Sequence, residues 1–205
     1  MGSEMCIRDS IEDQRRTHKL RAQVEGVMVG VNTVLRDDPE LTVRLSSGPN
    51  PVRIVVDSNL KTPLSAKVVN NEAPTIIFTT PNAPPGKVKN FEQRKVRVII
   101  AGENRVNLVK ALEELYQLGM RRIMLEGGGK LIWSMLNSNL VDEIYVTLAP
   151  QLLGRGVAIV RGRLHTPIRL RLVGIQQLQE EVVLHYEVKR GMRTGKEKEM
   201  VVEGE

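Results

Sequence analysis

Aromatic residues are scarce in this chain: Phe, Trp and Tyr make up 3% of its 205 residues. Proteins that bind single-stranded nucleic acid stack the bases on exposed aromatic rings, so this composition argues against such a surface. The hydrophobic content is nonetheless 41%, which leaves Val, Ile, Leu and Met to build the core. A core of that kind favours buried strands and helices.

Cysteine is limited to Cys6, so neither a disulfide framework nor a cysteine-based zinc site can form within one chain. The histidines (His18, His165 and His185) lack the spacing of metal ligands, and we predict no metal. We expect His18 to be structural and His185 to lie on a strand face. No apolar run approaches the roughly 20 residues of a membrane span, and the first ten residues lack the apolar segment of a secretory signal. These features predict a cytoplasmic protein without membrane association.

Basic residues outnumber acidic ones by 30 to 24, which gives a formal net charge of +6. They are spread along the chain, a distribution that favours a small anionic ligand such as a phosphorylated metabolite or nucleotide. A basic nucleic-acid-binding protein is the alternative, and its affinity would depend steeply on salt concentration.

Apolar runs and helical periodicity alternate along most of the chain. A helix over Ile11–Val24 has Ser10 as its N-cap and Asp13 placed as in a capping box. The pattern predicts a mixed, mainly parallel α/β sheet flanked by helices, with a C-terminal antiparallel pair. Strands are predicted at Gly26–Val31, Pro51–Ser58, Ala73–Thr80, Lys95–Gly102, Arg121–Glu126, Val141–Pro150, Ile168–Leu178 and Glu180–Arg190; the other helices are Asn107–Gly119 and Gly129–Asn139. The stretch from Asn32 to Arg44 is predicted to be a loop, and Pro81–Lys87 a break.

Three glycines, Gly127, Gly128 and Gly129, lie where a buried strand meets a helix. Glycines there let a ligand approach the backbone, and the free N–H groups of a helix N-terminus bind phosphate. A plain tight turn is the alternative. The motif is not a Walker A loop, because Met124 stands where that motif needs glycine and Leu131 where it needs Ser or Thr.

Polar side chains follow two of the earlier strands. In open α/β sheets ligands bind at the carboxyl ends of the strands, so these side chains could line a cleft. A solvated loop or a capped turn is the alternative for both groups. The first group contains Asn32, Thr33, Asp37, Asp38 and Arg44; the second contains Asp57, Ser58 and Lys61. Ser134 lacks the surroundings of a nucleophilic serine.

Three segments resemble, in order and spacing, the pyrimidine reductases of riboflavin biosynthesis in their stand-alone archaeal form. They are VMVGVNTVLRDDPELTVR, PVRIVVDSNLKTP and IMLEGGGKLIWSML, the last continued by LVDEIYVTLAP and LLG. The likeness covers about residues 18–188. It implies a dihydrofolate-reductase-like fold, usually a homodimer, and NADPH-dependent reduction of the ribosylamino group of a phosphorylated pyrimidine to ribitylamino. It also implies a reductase domain over residues 11–190, between a non-family segment (1–10) and a charged, flexible tail (191–205).

The resemblance also implies roles for individual residues. Arg44, Leu41 and Glu126 would bind substrate, Arg44 by its phosphate. Asp37 would be the proton-handling or orienting carboxylate, close to the nicotinamide. The cofactor-binding residues would be Thr33, Asp37, Ser58, Lys61, Gly127, Gly128, Gly129 and Lys130, with Ser58 and Lys61 at the adenosine 2′-phosphate. The substrate could be the diaminopyrimidinone or its deaminated uracil form.

One departure from the family concerns the N-terminus. Members begin with a central strand that carries a Ser-x-Asp-Gly-like segment. In this chain the first residues, MGSEMCIRDSIEDQ, contain no such motif, and the helix is predicted to begin already at Ile11. We therefore expect a gap in the sheet and an exposed edge. A nucleotide-binding domain with weak or no catalysis is the alternative function.

Overall fold

The computed structural model describes residues 10–151, 158–164 and 166–189. Helices and strands alternate through most of this range, as the sequence predicts. The helices are α1 (Ile11–Arg21), α2 (Val31–Asp37), α3 (Pro85–Gln93), α4 (Leu108–Gln117) and α5 (Gly129–Asn137), with a 3-10 turn at Lys67–Val69. The strands are β1 (Gly26–Gly30), β2 (Val52–Val56), β3 (Thr75–Thr79), β4 (Arg97–Ile100), β5 (Ile123–Leu125), β6 (Glu143–Leu148), β7 (Leu170–Leu178) and β8 (Glu181–Val188).

The first sheet is parallel, with the strand order β4-β3-β2-β1-β5. Its central strands are nearly continuous apolar runs, because helices and loops cover both faces. Met28 of β1 is fully buried and is in register with Ile54 of β2 on one side and Leu125 of β5 on the other. From β1 the chain adds β2, β3 and β4 in one direction, and then places β5 on the opposite side of β1. The order therefore reverses between β1 and β5.

The second sheet is antiparallel, with the order β6-β8-β7. The predicted C-terminal pair is β7 with β8, interrupted by a register shift between Leu172 and Gly174, and β6 joins that pair through β8. The mixed, mainly parallel fold class is confirmed. Among the described residues the edges of the first sheet are β4 and β5, and those of the second are β6 and β7; the expected loss of the family's first strand stays a prediction.

Helix α1 connects the two sheets. Its N-cap is Ser10, as predicted. The Ser10 Oγ accepts from the Asp13 N–H at 3.1 Å and donates to the carboxylate of Glu181, the first residue of β8 in the second sheet. The Asp13 carboxylate does not complete a capping box; it accepts from Thr147 Oγ1 of β6 at 3.2 Å and pairs with Arg16 at 2.7 Å. The start of α1 is thus held to the antiparallel sheet by buried polar contacts.

Two helices contradict the sequence prediction. The stretch read as a loop from Asn32 begins with α2, because the chain turns into helix directly after Gly30 without a side-chain cap to signal the start. The predicted break at Pro81–Lys87 contains the start of α3, where Pro85 occupies the first helical position, a place that tolerates proline. Helix α1 also ends earlier than predicted, at Arg21.

A buried arginine fixes the loop that supports the end of α2. Arg53 of β2 is completely buried and donates to the carbonyl oxygens of Lys67, Asn70 and Ala73. These bonds hold the 3-10 turn in place, and the backbone N–H of Lys67 in turn donates to the Asp38 carboxylate at 2.8 Å. Asp38 is the C-cap of α2, so this bond to the 3-10 turn fixes the end of the helix.

Candidate functional site

The glycine loop lies at the carboxyl end of β5. The Glu126 N–H donates to the Met28 carbonyl of β1 at 2.9 Å, and Gly127 and Gly128 then take φ of 95° and 84°. This left-handed backbone favours glycine. Gly128 is the N-cap of α5 and provides no side-chain acceptor, so the first N–H groups of α5 are left for an external anion. The first turn contains Lys130 and no acidic residue.

Thr33 lies directly beside this loop. A Cβ at Gly128 would stand 3.4 Å from Thr33 Oγ1 and 3.6 Å from the Gly30 nitrogen. Thr33 is buried on the first turn of α2, which follows β1 just as α5 follows β5. The two helix starts therefore flank the point where the strand order reverses, the position at which open α/β sheets bind ligands.

Arg161, which the sequence analysis did not single out, also contacts the loop. Its backbone N–H donates to the Gly129 carbonyl at 2.9 Å, and a Cβ at Gly129 would stand 2.8 Å from Arg161 Cγ. Trp133 of α5 secures the same segment, since its Nε1 donates to the Arg163 carbonyl at 3.0 Å. The start of α5 thus has a cationic neighbour from a distant part of the chain.

Glu126 is held by Arg21, a residue that the sequence reading missed. The Arg21 guanidinium makes two bonds of 2.6 Å to the carboxylate oxygens, and its Nη1 donates to the Thr42 carbonyl at 3.0 Å. The side chains are 12% and 14% exposed, so the pair is largely shielded from water. A fork-to-fork geometry of this kind fixes both partners.

Leu41 and Arg44 follow α2 on the same side of the site. Leu41 has a φ of 56° and is 2% exposed, so its side chain belongs to the core beneath the site. A left-handed leucine is an uncommon, strained conformation that surrounding contacts must maintain. The Arg44 guanidinium is 50% exposed and contacts the Glu40 carboxylate and Thr42 Oγ1.

His18, predicted to be structural, is buried against this segment. Its Nδ1 accepts from the Arg44 backbone N–H at 2.9 Å. Burial lowers the pKa of His18 below its usual value, and the neighbouring Arg21 and Arg44 lower the pKa further, against smaller opposing effects of Glu126 and Glu40. The imidazole is therefore neutral at neutral pH.

Asp37 ends α2 four residues after Thr33, so the two share one face of the helix. Both carboxylate oxygens of Asp37 accept bonds of 2.9 Å from the Arg36 guanidinium. The Asp37 side chain is shielded, whereas that of Arg36 is exposed. The carboxylate is thereby oriented by a solvent-facing partner.

Ser58 and Lys61 follow β2, on the far side of β1 from the glycine loop. Ser58 Oγ accepts from the Val106 N–H at 3.1 Å, and Lys61 is exposed. Asp57 accepts from the Thr62 N–H and hydroxyl, as expected for a capped turn. Two strand spacings of roughly 4.8 Å separate β2 from β5, so these residues reach the outer part of the same sheet edge.

Ser134 and His185, which the sequence analysis did not assign to the site, lie elsewhere. Ser134 Oγ donates to the Lys130 carbonyl within α5, and His185 pairs with Glu143 on an exposed strand face. His165 lies outside the described residues. Within the described ranges, His, Cys, Asp and Glu nowhere gather in groups of three that could hold a metal ion. Among those same residues, none of the helices has the length and apolar character needed to cross a membrane.

Known proteins resemble this chain over most of its length. The reductase named for 2,5-diamino-6-ribosylamino-4(3H)-pyrimidinone 5′-phosphate in Methanothermobacter thermautotrophicus is 44% identical over 187 residues, covering 87% of this chain and 86% of that protein. The protein of the same name in Archaeoglobus fulgidus is 44% identical over 154 residues, covering 70% and 69%. The solved riboflavin biosynthesis reductase of Saccharomyces cerevisiae shares the fold, with a TM-score of 0.70 at 24% identity over 87% of this chain and 81% of that one.

The family assignment follows from the span of the match. Residues 2–184 match the family described as the RibD C-terminal domain, and this range contains both helix starts at the strand-order reversal and the loops that follow β1, β2 and β5. The chain belongs to the RibD C-terminal domain family.

Proposed function

We propose that this chain is an NADPH-dependent reductase that converts the ribosylamino group of a pyrimidine 5′-phosphate to ribitylamino in riboflavin biosynthesis. The observation that carries the proposal is the paired start of α2 and α5 at the reversal between β1 and β5, with Thr33 beside Gly128. The names of the archaeal relatives support the same reaction. They favour the diaminopyrimidinone over its deaminated form.

The glycine loop fits a dinucleotide pyrophosphate. Gly127, Gly128 and Gly129 have no side chains, so a ligand could approach their backbone closely; the uncapped N–H groups and the basic residues Lys130 and Arg161 favour an anion at the start of α5. Bound NADPH supplies the hydride of the reaction. The Thr33 hydroxyl would donate a hydrogen bond to the pyrophosphate.

The 2′-phosphate end of the cofactor is assigned to the loop after β2. Lys61 is an exposed cation, and the structure gives its ammonium no partner among the described residues. Ser58 lies at the same loop and is fixed through Val106. An ammonium and a hydroxyl suit a phosphate monoester, and the two strand spacings between β2 and β5, roughly 10 Å, suit the separation of the 2′-phosphate from the pyrophosphate of one dinucleotide.

The substrate is assigned to the opposite side of the loop. Glu126 would accept hydrogen bonds from the sugar hydroxyls, since the Arg21 fork orients its carboxylate. Arg44 would exchange its exposed contact with Glu40 for the substrate phosphate. Leu41 would line the site from the core.

Asp37 is assigned the role of the carboxylate that handles a proton or orients the substrate during reduction. Its carboxylate shares a helix face with Thr33, which places it near the cofactor side, and its partner Arg36 is exposed to solvent. A carboxylate in that position can orient the sugar nitrogen or transfer a proton during reduction. We further assign the reductase to residues 11–190, as a cytoplasmic homodimer; the charged segment 191–205 lies outside the described residues.

The experiment is an NADPH oxidation assay with the chain and either form of the ribosylaminopyrimidine 5′-phosphate. We expect oxidation with the diaminopyrimidinone, little with NADH, and little with the nucleoside that lacks the phosphate. Binding of NADPH without turnover of either substrate would select the alternative, a nucleotide-binding domain. Absence of both binding and turnover by the folded chain would refute the reductase.

A further inference from the structure

The last turn of α1 holds two parts of the proposed substrate site at once. Arg21 binds the Glu126 carboxylate and the Thr42 carbonyl, and His18 accepts from the backbone N–H of Arg44. His18 and Arg21 are three residues apart, so their side chains leave the same face of the helix. The segment from Thr42 to Arg44 is therefore fixed at two backbone points.

The charged groups that face His18 come from three elements. Arg21 lies on its own helix, Arg44 and Glu40 lie on the loop after α2, and Glu126 lies at the end of β5. His18 is 5% exposed, so these groups act on its ring with little screening by water. Since Nδ1 is an acceptor, the neutral ring carries its proton on Nε2.

We propose that neutral His18 is a positioning residue that holds the Arg44 segment in its substrate-binding arrangement, and that protonation of the ring releases that segment. The proposal rests on the proposed function, which assigns Arg44 to the substrate phosphate. Protonated Nδ1 is a donor that faces the donor N–H of Arg44, so the hydrogen bond is lost. The new cation also lies beside the Arg21 and Arg44 guanidinium groups and is repelled by both.

The direction of the pH effect follows from the lowered pKa of His18. The group is neutral in the folded protein at pH above the ordinary value of 6.5, where its contribution to stability is complete. That contribution is lost as pH falls from this value through the lower pKa of the folded state. Release of the Arg44 segment is therefore expected below pH 6.5, and the phosphorylated substrate should bind more weakly there.

Two substitutions separate positioning from packing. His18→Asn places an amide oxygen near the position of Nδ1 and removes the titration, so KM for the substrate should stay within about 2-fold at neutral pH and rise less in acid. His18→Leu fills similar space without an acceptor, so KM for the substrate should rise about 3- to 10-fold, the effect of one lost hydrogen bond, with kcat within about 2-fold. KM for NADPH should be unchanged in both.

A second readout needs neither substrate nor cofactor. In the unmodified chain the amide proton resonance of Arg44 should shift as His18 is protonated, and in His18→Asn this titration should disappear. If the Arg44 amide resonance of the unmodified chain does not change with pH, the proposal is overturned. An unchanged substrate KM in a folded His18→Leu variant would also overturn it. If His18→Leu changed the KM for substrate, the KM for NADPH and kcat equally, His18 would contribute only packing, and the positioning role would be wrong. Failure of the unmodified chain to turn over substrate would instead refute the proposed function, while the amide titration would still report on the hydrogen bond.

Discussion

The two sides of the candidate site are built from different chemistry. On the glycine-loop side, Gly127, Gly128 and the first N–H groups of α5 present backbone with almost no side chain. On the α1 side, Arg21, Glu126 and Arg44 present charges that are already paired within the protein. The first side is ready for an anion without rearrangement, whereas the second must exchange internal partners for those of a ligand.

This difference predicts how each side responds to change. Backbone sites are sensitive to added bulk and insensitive to loss of charge. Paired charges are sensitive to removal of one partner, because the other is then left partly buried without its counterion. Substitutions on each side test that distinction, and substitution of the proposed proton-handling residue Asp37 gives the largest effect against which they can be compared.

Asp37→Asn should have the largest effect, because it removes the assigned proton-handling carboxylate and preserves the shape of the side chain. We expect kcat to fall about 100-fold or more, the usual contribution of acid–base catalysis, with both ligands still bound. Steady-state kinetics and direct NADPH titration measure these quantities. Asp38→Asn is the matched control, since Asp38 caps α2 through Lys67 and should alter stability alone. Near-normal kcat in Asp37→Asn would remove this residue from catalysis.

Glu126→Gln should act on the α1 side alone. The change leaves the Arg21 guanidinium without its counterion, and loss of a hydrogen bond to a charged group costs about 1.5 to 2 kcal/mol, or roughly a 10- to 30-fold fall in kcat/KM for the substrate. NADPH affinity should remain unchanged. Glu25→Gln is the control, because Glu25 pairs with Arg122 at the opposite end of β5 on an exposed surface. Equal losses in the two variants would contradict the assigned role of Glu126.

Gly128→Ala should act on the glycine-loop side alone. Alanine at φ 84° costs about 1 to 2 kcal/mol because its Cβ disfavours the left-handed backbone, so the loop should shift and the Kd for NADPH should rise about 10-fold. The KM of the substrate should change much less. Gly86→Ala in α3 is the control, since an added Cβ there meets open space. Unaltered NADPH binding in Gly128→Ala would place the cofactor elsewhere.

Lys61→Ala should have the smallest effect, because an exposed charge is well screened. We expect the preference for NADPH over NADH to fall about 3-fold, and the difference to shrink as salt concentration rises. Lys95→Ala, an exposed lysine beyond α3, is the comparison variant. A preference that is the same in both variants would move the 2′-phosphate away from the β2 loop.

The sequence predicted the strands well because each is a short apolar run bounded by turn residues, as at Pro51–Ser58. It missed α2 and α3 for local reasons. Helix α2 is only seven residues long and has no side-chain cap, and α3 begins at a proline that was read as a stop. Short helices without start signals have too little periodicity to be distinguished from loops.

The site was predictable only in part, for a related reason. The glycine loop has a local signature, and its neighbour Thr33 follows the adjacent strand. The partners Arg21 and Arg161 have no such signature: Arg21 meets Glu126 across 105 positions, and Arg161 reaches Gly129 from beyond β6. Those pairings depend on how α1 and the late segment cross the sheet, which periodicity does not encode.

Helix α1 affects how the two sheets unfold locally. It is bonded to the antiparallel sheet through Ser10 and Asp13, and to the parallel sheet through the Arg21–Glu126 pair. Neither sheet can lose its contacts with α1 without disturbing the other, so the two should exchange their amide hydrogens as one cooperative unit. Removing either attachment should divide that unit, and the β6–β8 amides should then exchange faster than those of β1 and β2.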